Sequence, residues 1–310
     1  MSDFRFVSDW PFLALTLDED GLPIAALAPG AVAEVSDDNA VTVIRCQDVM
    51  CSTAVRNSVV VGFHPAAYTL SRVFVTLSDD SFPVFVVEAE KISLTTNPQL
   101  VLLVACSDRW CEGANIVTML TVPSPLEGGQ AAEIAVAFGD DGRVAVAFID
   151  ANGYVNLAAC DLDSCADPSV VTVDSEGQYR YPSIALDYSG NAVLSYQEGN
   201  SQDLILSWCG TPTCAQRLSR VVVDTQGEVG LYSTVAMRDF ATFVAYTAND
   251  SIKLAFCQTP ECEEPPQLIP VSGTSGVNVM SLASTTQDVW PWLAYSARSE
   301  GLGILMLTSE

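Results

Sequence analysis

Ten cysteines fall into five pairs of identical spacing, Cys46/Cys51, Cys106/Cys111, Cys160/Cys165, Cys209/Cys214 and Cys257/Cys262, with none left over. Successive first cysteines stand 60, 54, 49 and 48 residues apart. A feature recurring at that period marks a supersecondary repeat, and the length matches a four-stranded propeller blade. A chain built on such a period has few folds open to it.

The unit from Tyr181 to Asp224 is the most legible. Pro182–Asp187 reads as a strand, Tyr188–Asn191 as a turn, Ala192–Tyr196 as a second strand and Asp203–Cys209 as a third. The Cys-x4-Cys turn then leads into a fourth strand at Ser219–Asp224. β-rich runs bounded by Gly, Asp, Asn and Pro are the pattern of a meander. The same order recurs upstream and downstream, which predicts blades at about 9–63, 68–122, 131–174, 181–224, 231–272 and 277–310. The last unit supplies three strands and no cysteine pair, while Asp3–Val7 is a spare strand at the other end. The expected fold is therefore all-β: a single six-bladed β-propeller domain, closed by residues 2–8 completing the last blade. Closure of this kind removes exposed sheet edges.

The stretches Tyr181–Tyr196 with Asp203–Cys209, and Ser251–Cys257, resemble a repeat of bacterial secreted and surface β-propeller proteins. That repeat runs "SIALDxSGNxxxSY…DLxLAxC-x4-C". The resemblance implies the fold and says little of activity, because propellers host unrelated functions.

Each cysteine pair flanks four residues between a third and a fourth strand, so the two can face each other across a hairpin and form a disulfide. Reduced core thiols are the alternative; a metal or redox role is disfavoured, since neighbouring pairs on a ring are too far apart to share an ion and no Cys-x2-Cys is present. Disulfides point to an extracellular, cell-surface or virus-particle setting. The opening Met-Ser-Asp-Phe-Arg-Phe does not read as a signal peptide, so an intracellular home stays open.

With 38 acidic residues against 13 basic ones the net charge is −25. That charge repels nucleic acid at long range, and no apolar run is long enough for a membrane-spanning helix. Neither a phosphate loop nor a zinc or Gly-x-Ser-x-Gly motif is present, and His64 is the sole histidine, so no cofactor is expected.

Propeller topology places the cysteine turns on one face, with acidic turns at Asp18/Asp20, Asp79/Asp80, Asp140/Asp141, Asp187, Asp239 and Asp288. Such aspartates usually bond their own backbone; cation binding there is the alternative. The opposite face has loops of varied length, with Trp10, Tyr68, Tyr179, Arg180, Tyr181 and Tyr232 as partner-binding candidates. Tyr196, Tyr246 and Tyr295 share one repeat position and read as packing residues. Three functions are in play: a non-catalytic interaction or structural propeller with a protein or glycan partner, a carbohydrate-binding lectin, and a glycan hydrolase. The hydrolase would use two carboxylates at the channel mouth, such as Glu88 or Glu90 with Asp150 or Glu198. The first is the leading expectation.

Overall fold

The computed structural model describes residues 13–28, 40–48, 51–61, 68–78, 80–91, 99–122, 133–139, 142–272, 274–283, 291–297 and 301–306. Among these, 23 strands form six antiparallel sheets, each with its strands in chain order. Two compact units divide them. The first unit has two four-stranded sheets: β1 (Leu13–Leu17) to β4 (Ala54–Val60), with β2 at Pro23–Leu27 and β3 at Ala40–Cys46; and β5 (Tyr68–Leu77), β6 (Pro83–Lys91), β7 (Gln99–Cys106) and β8 (Ala114–Val122). The second has four sheets. These are β9 (Ile134–Phe138), β10 (Arg143–Ile149), β11 (Val155–Asp161) and β12 (Ser169–Asp174); then β13 (Tyr179–Leu186), β14 (Ala192–Glu198), β15 (Leu204–Cys209) and β16 (Arg217–Asp224). β17 (Val229–Arg238), β18 (Ala241–Ala248), β19 (Ser251–Cys257) and β20 (Gln267–Pro270) follow, and last the three-stranded β21 (Val277–Ala283), β22 (Trp292–Ala297) and β23 (Gly301–Met306). The expected closing strand, Asp3–Val7, lies outside the described residues.

Central strands are buried on both faces. β14 reads Ala-Val-Leu-Ser-Tyr-Gln with every side chain buried, and β10 and β11 are similar. A strand covered on both faces has no reason to alternate apolar with polar residues. Outer strands keep the alternation: β4 is buried only at Val59. Within the second unit one apolar cluster joins Ala145, Leu157, Ile184 and Leu194, another Leu206, Val223, Val235 and Val244, and a third Phe243, Leu254, Met280 and Leu293. Each cluster spans two successive sheets, so the sheets stack face to face through their central strands.

Polar bonds reinforce that stacking at one repeat position. Asp174, at the end of β12, accepts from the hydroxyls of Tyr179 (2.7 Å) and Tyr196 (2.8 Å) and from Arg220 Nε (2.8 Å), with Arg217 at 3.3 Å. Asp224, ending β16, accepts from the Tyr246 hydroxyl (2.7 Å) and Lys253 Nζ (2.9 Å). A tyrosine of one sheet's second strand thus bonds the aspartate closing the previous sheet. Tyr196 and Tyr246 are fully buried packing residues, as their repeat position suggests.

Disulfides join Cys46–Cys51, Cys106–Cys111, Cys209–Cys214 and Cys257–Cys262, and Cys160 and Cys165 are disulfide-bonded as well. The expected cross-strand geometry is corrected, however. In four of the five pairs the first cysteine ends the third strand, but its strand partner is Ala54 opposite Cys46, Ala114 opposite Cys106 and Arg217 opposite Cys209. The second cysteine sits inside the turn in the left-handed region, with φ of 50° to 58° at Cys51, Cys111, Cys214 and Cys262. Its N–H donates to the carbonyl three residues back, for example Cys111 to Asp108 (3.1 Å). The fourth strand starts three residues after the second cysteine in three of the pairs, so a six-residue segment is too short to reach it and the disulfide closes a turn.

Candidate functional site

The candidate site lies in the second unit, where three inner strands begin. In the sheet registers Ala135 opposes Ala147, Ser183 opposes Ser195 and Thr234 opposes Ala245. Two residues before each of the first-named stands Glu133, Tyr181 or Tyr232. These three occupy one repeat position in successive sheets, and β13 packs against β9 and β17.

The tyrosines sit on β-bulges. Tyr181 and Pro182 together oppose Tyr196, because the register jumps from Arg180/Gln197 to Ser183/Ser195. Tyr232 and Ser233 oppose Tyr246 in the same way. At both bulges the tyrosine has positive φ, 54° for Tyr181 and 51° for Tyr232. That conformation normally falls to glycine, and a bulky residue there is a backbone outlier of the kind that clusters at functional sites. Proline at 182 costs no ladder bond, since a bulged residue has none to give. Gly230 prepares the second bulge: its φ is 84°, and a Cβ there would lie 3.2 Å from the Leu204 backbone.

The bulges aim both rings at each other, with centroids 5.1 Å apart at 54°. The Tyr181 N–H donates to the Glu133 carboxylate. Behind the rings, Ser233 Oγ donates to the Tyr181 carbonyl (3.2 Å), Ser195 and Ser233 share a bond of 2.9 Å, and Val235 N–H donates to Ser183 Oγ (3.1 Å). The support is therefore rigid. The Tyr181 hydroxyl is held above the usual tyrosine range by burial first, then by Glu133 and by Tyr232, with Glu228 adding to it and Arg180 opposing. It remains a neutral donor at physiological pH. Tyr232 is 37% exposed.

Arg180 is exposed, and among the described residues no carboxylate lies within ion-pair range of it. Glu176, the neighbour that would most simply neutralise it, is held by Arg217 at 3.0 Å. The sequence-based expectation is corrected at two points. Tyr179, Arg180, Tyr181 and Tyr232 are on strands and not in loops; the bulges, invisible as periodicity, break the pattern there. Tyr179 is 2% exposed with its hydroxyl on Asp174, so it belongs to the stacking network and not to the surface. Trp10 and the side chain of Tyr68 lie outside the described residues.

The carboxylates singled out from sequence do not converge here. Asp150 caps its own turn, accepting from Asn152 and Tyr154 N–H (2.9 Å each), and Glu198 accepts from Ser201 N–H (2.6 Å). Glu88 is buried in the first unit, 3.6 Å from Arg72, and the Glu90 side chain lies outside the described residues. Glu133 is the carboxylate that sequence reasoning missed; equivalence to Tyr181 and Tyr232 in the repeat was the available signal. Two of the acidic turns have their aspartates in hydrogen bonds: Asp187 accepts from Ser189, Asn191 and Trp208, and Asp18 from Asp20, Leu22 and Arg45. Asp79, Asp140, Asp141 and Asp288 lie outside the described residues.

No family model and no curated protein matches the chain. Solved structures do. An α-L-arabinanase of Penicillium chrysogenum, complexed with arabinobiose, superposes with a TM-score of 0.67 at 11% identity, covering 99% of this chain and 95% of that one. A GH93 α-L-arabinofuranosidase of Fusarium graminearum, also with arabinobiose, gives 0.64 at 9% identity over 99% and 95%. A PL25 ulvan lyase gives 0.64 at 10% identity over 98% and 80%. The chain is a β-propeller.

Proposed function

We propose that the second unit binds a glycan at the starts of β9, β13 and β17 and hydrolyses it. The observation that carries this reading is the pair of tyrosines held in left-handed bulges at equivalent positions beside Glu133. Two aromatic rings offer an apolar platform for a sugar face, and Arg180 offers an uncommitted cation for a ring substituent. Glycoside hydrolysis needs two carboxyl groups flanking the scissile bond. Glu133 precedes β9 and bonds the Tyr181 N–H, and Glu228 precedes β17; both strands pack against β13, which carries Tyr181. In this reading Glu133 and Glu228 form the acid–base pair, Tyr181 donates to a substrate oxygen, and Tyr232 stacks.

The neighbours add support of a general kind, since the arabinanase, the arabinofuranosidase and the ulvan lyase all act on glycans. This favours the hydrolase over the non-catalytic interaction role, which was the leading expectation. The disulfides also fit an extracellular setting.

The test is a turnover screen on debranched arabinan, ulvan and related polysaccharides, following reducing ends and, separately, the ultraviolet absorbance of an unsaturated product. Release of reducing ends without unsaturation is expected. Glu133→Gln should lower the rate by about 10²-fold or more, with unchanged melting temperature. Binding without turnover would assign the surface to a lectin; unsaturated product would assign a lyase.

A further inference from the structure

We infer that the first unit has a separate binding site for an acidic saccharide, in a groove between β4 and the Cys106–Cys111 turn. The groove has a volume of about 440 Å³ and is lined by Val55, Arg56, Asn57, Trp110 and Glu112. That volume is within the range of small-ligand sites and suits one or two sugar rings.

The repeat itself makes this turn stand out. Five turns share one length, yet only Ser107-Asp108-Arg109-Trp110 places a cation and an aromatic between its cysteines. The hydrogen bonds that shape the turn's backbone use neither side chain. Its conformation comes from Asp108, which accepts from the N–H groups of Trp110 (2.8 Å) and Glu112 (3.1 Å), and from the disulfide. Asp48 does the same in the preceding turn without an aromatic neighbour, accepting from Ser52 (3.0 Å) and Thr53 (2.9 Å).

The groove is also built to stay in place. Asn57 Nδ2 on β4 donates to the carbonyls of Trp110 (3.1 Å) and Cys111 (3.0 Å), which latches the turn to the neighbouring sheet. Buried Arg45 is fixed by Asp18 at 2.6 Å, donates to the Arg109 carbonyl (3.2 Å) and lies 5.7 Å from the Trp110 ring. Arg109 lies 4.9 Å from the same ring. Preorganised groups of this kind lose little entropy when a ligand binds.

The charge of the groove identifies the ligand. In a chain with 38 acidic residues and 13 basic ones, exposed arginines should find carboxylate partners. Arg56 and Arg109 have none among the described residues. The Arg56 guanidinium beside the Trp110 wall, with Arg109 held over the same ring, suits a carboxylate or sulfate, which arginine recognises in bidentate fashion. Glu112 in the same lining disfavours a peptide rich in acidic side chains, but it can accept from sugar hydroxyls. A saccharide with one anionic group per ring uses all of these. The proposal does not depend on the reading of the second unit's site.

Binding of four probes to the intact protein tests it: a hexa-oligogalacturonate, a sulfated heparin-derived hexasaccharide, neutral arabinohexaose and a poly-glutamate peptide. The expected result is binding of the uronate or the sulfated probe, whichever source of the anion the groove prefers, and none of the neutral one. Arg56→Gln and Trp110→Phe should each weaken that binding about tenfold or more with unchanged melting temperature. Arg56 is an exposed strand residue, so its variant keeps the fold. The idea is overturned if no acidic saccharide binds, if arabinohexaose or the peptide binds equally well, or if both variants bind as the parent does.

Discussion

Asp174 shows how a single side chain decides the balance of forces in the second unit. Its carboxylate has no exposed surface, and burial alone would raise its pKa. Hydrogen bonds from Tyr179 and Arg220, the Glu176 amide and Tyr196 more than reverse this, so the net shift is downward. Burial first, and then the bond to Asp174, push the Tyr179 hydroxyl up to about 12, with Arg220 opposing; Asp174 also helps to hold Arg220 protonated. A buried ion pair contributes little compared with apolar packing, but removing one partner leaves the other charge uncompensated. Asp174→Asn should therefore cost about 3 kcal/mol, read as a shift in the second unit's transition in urea. A change below about 1 kcal/mol would mean that water replaces the carboxylate, and that the network is peripheral.

At the scale of the element, the repeat is a turn welded to a strand end. A loop this short gains only about 2 kcal/mol from its disulfide on the chain-entropy estimate. The left-handed second cysteine works against that gain, since αL costs a non-glycine residue roughly 1 kcal/mol. The welding matters most where the turn also holds a neighbour, as Cys106–Cys111 does through Asn57. Cys209→Ser with Cys214→Ser should lower stability by about 2 kcal/mol at most, because Thr211 and its bonds to Cys214 and Ala215 keep the turn shaped. Peptide mapping without reductant should recover five disulfides, each within its own six-residue segment; ten alkylatable thiols in the native protein would refute that pairing.

For the whole molecule, net charge and buried carboxylates act in opposite directions as pH falls. At pH 7 a charge of −25 repels itself, a cost that salt screens. Protonating exposed carboxylates relieves that repulsion near their ordinary pKa of about 4. Asp18, Asp174 and Asp224 behave otherwise, because their folded pKa values lie below the unfolded one. Such groups stabilise the fold above the unfolded pKa, and that stability is lost as pH falls through the folded one. Melting temperature should therefore rise with added salt at pH 7, hold or rise slightly toward pH 5, and drop below about pH 4. A melting temperature that stays level down to pH 2 would show that the buried aspartates are not what the acid limit reports.

The amino-acid sequence alone determined the repeat, the order of the described strands and the cysteine pairing, because these are local: a blade's consecutive strands are one meander, and a disulfide across four residues needs no distant partner. It also marked Tyr196 and Tyr246 as interior, since the same residue recurred at the same place. Tertiary structure decided what the rest of the surface does. Tyr179 and Tyr181 are two residues apart, yet one is buried on Asp174 and the other faces Tyr232, because the bulge that begins at Tyr181 changes the direction of a side chain without changing composition or period. Glu133 looked ordinary until stacking set it beside Tyr181, and Trp110 gained a groove only when Asn57 of another sheet latched its turn. Sites of this kind are made between sheets, and contacts between sheets are what a linear repeat leaves unspecified.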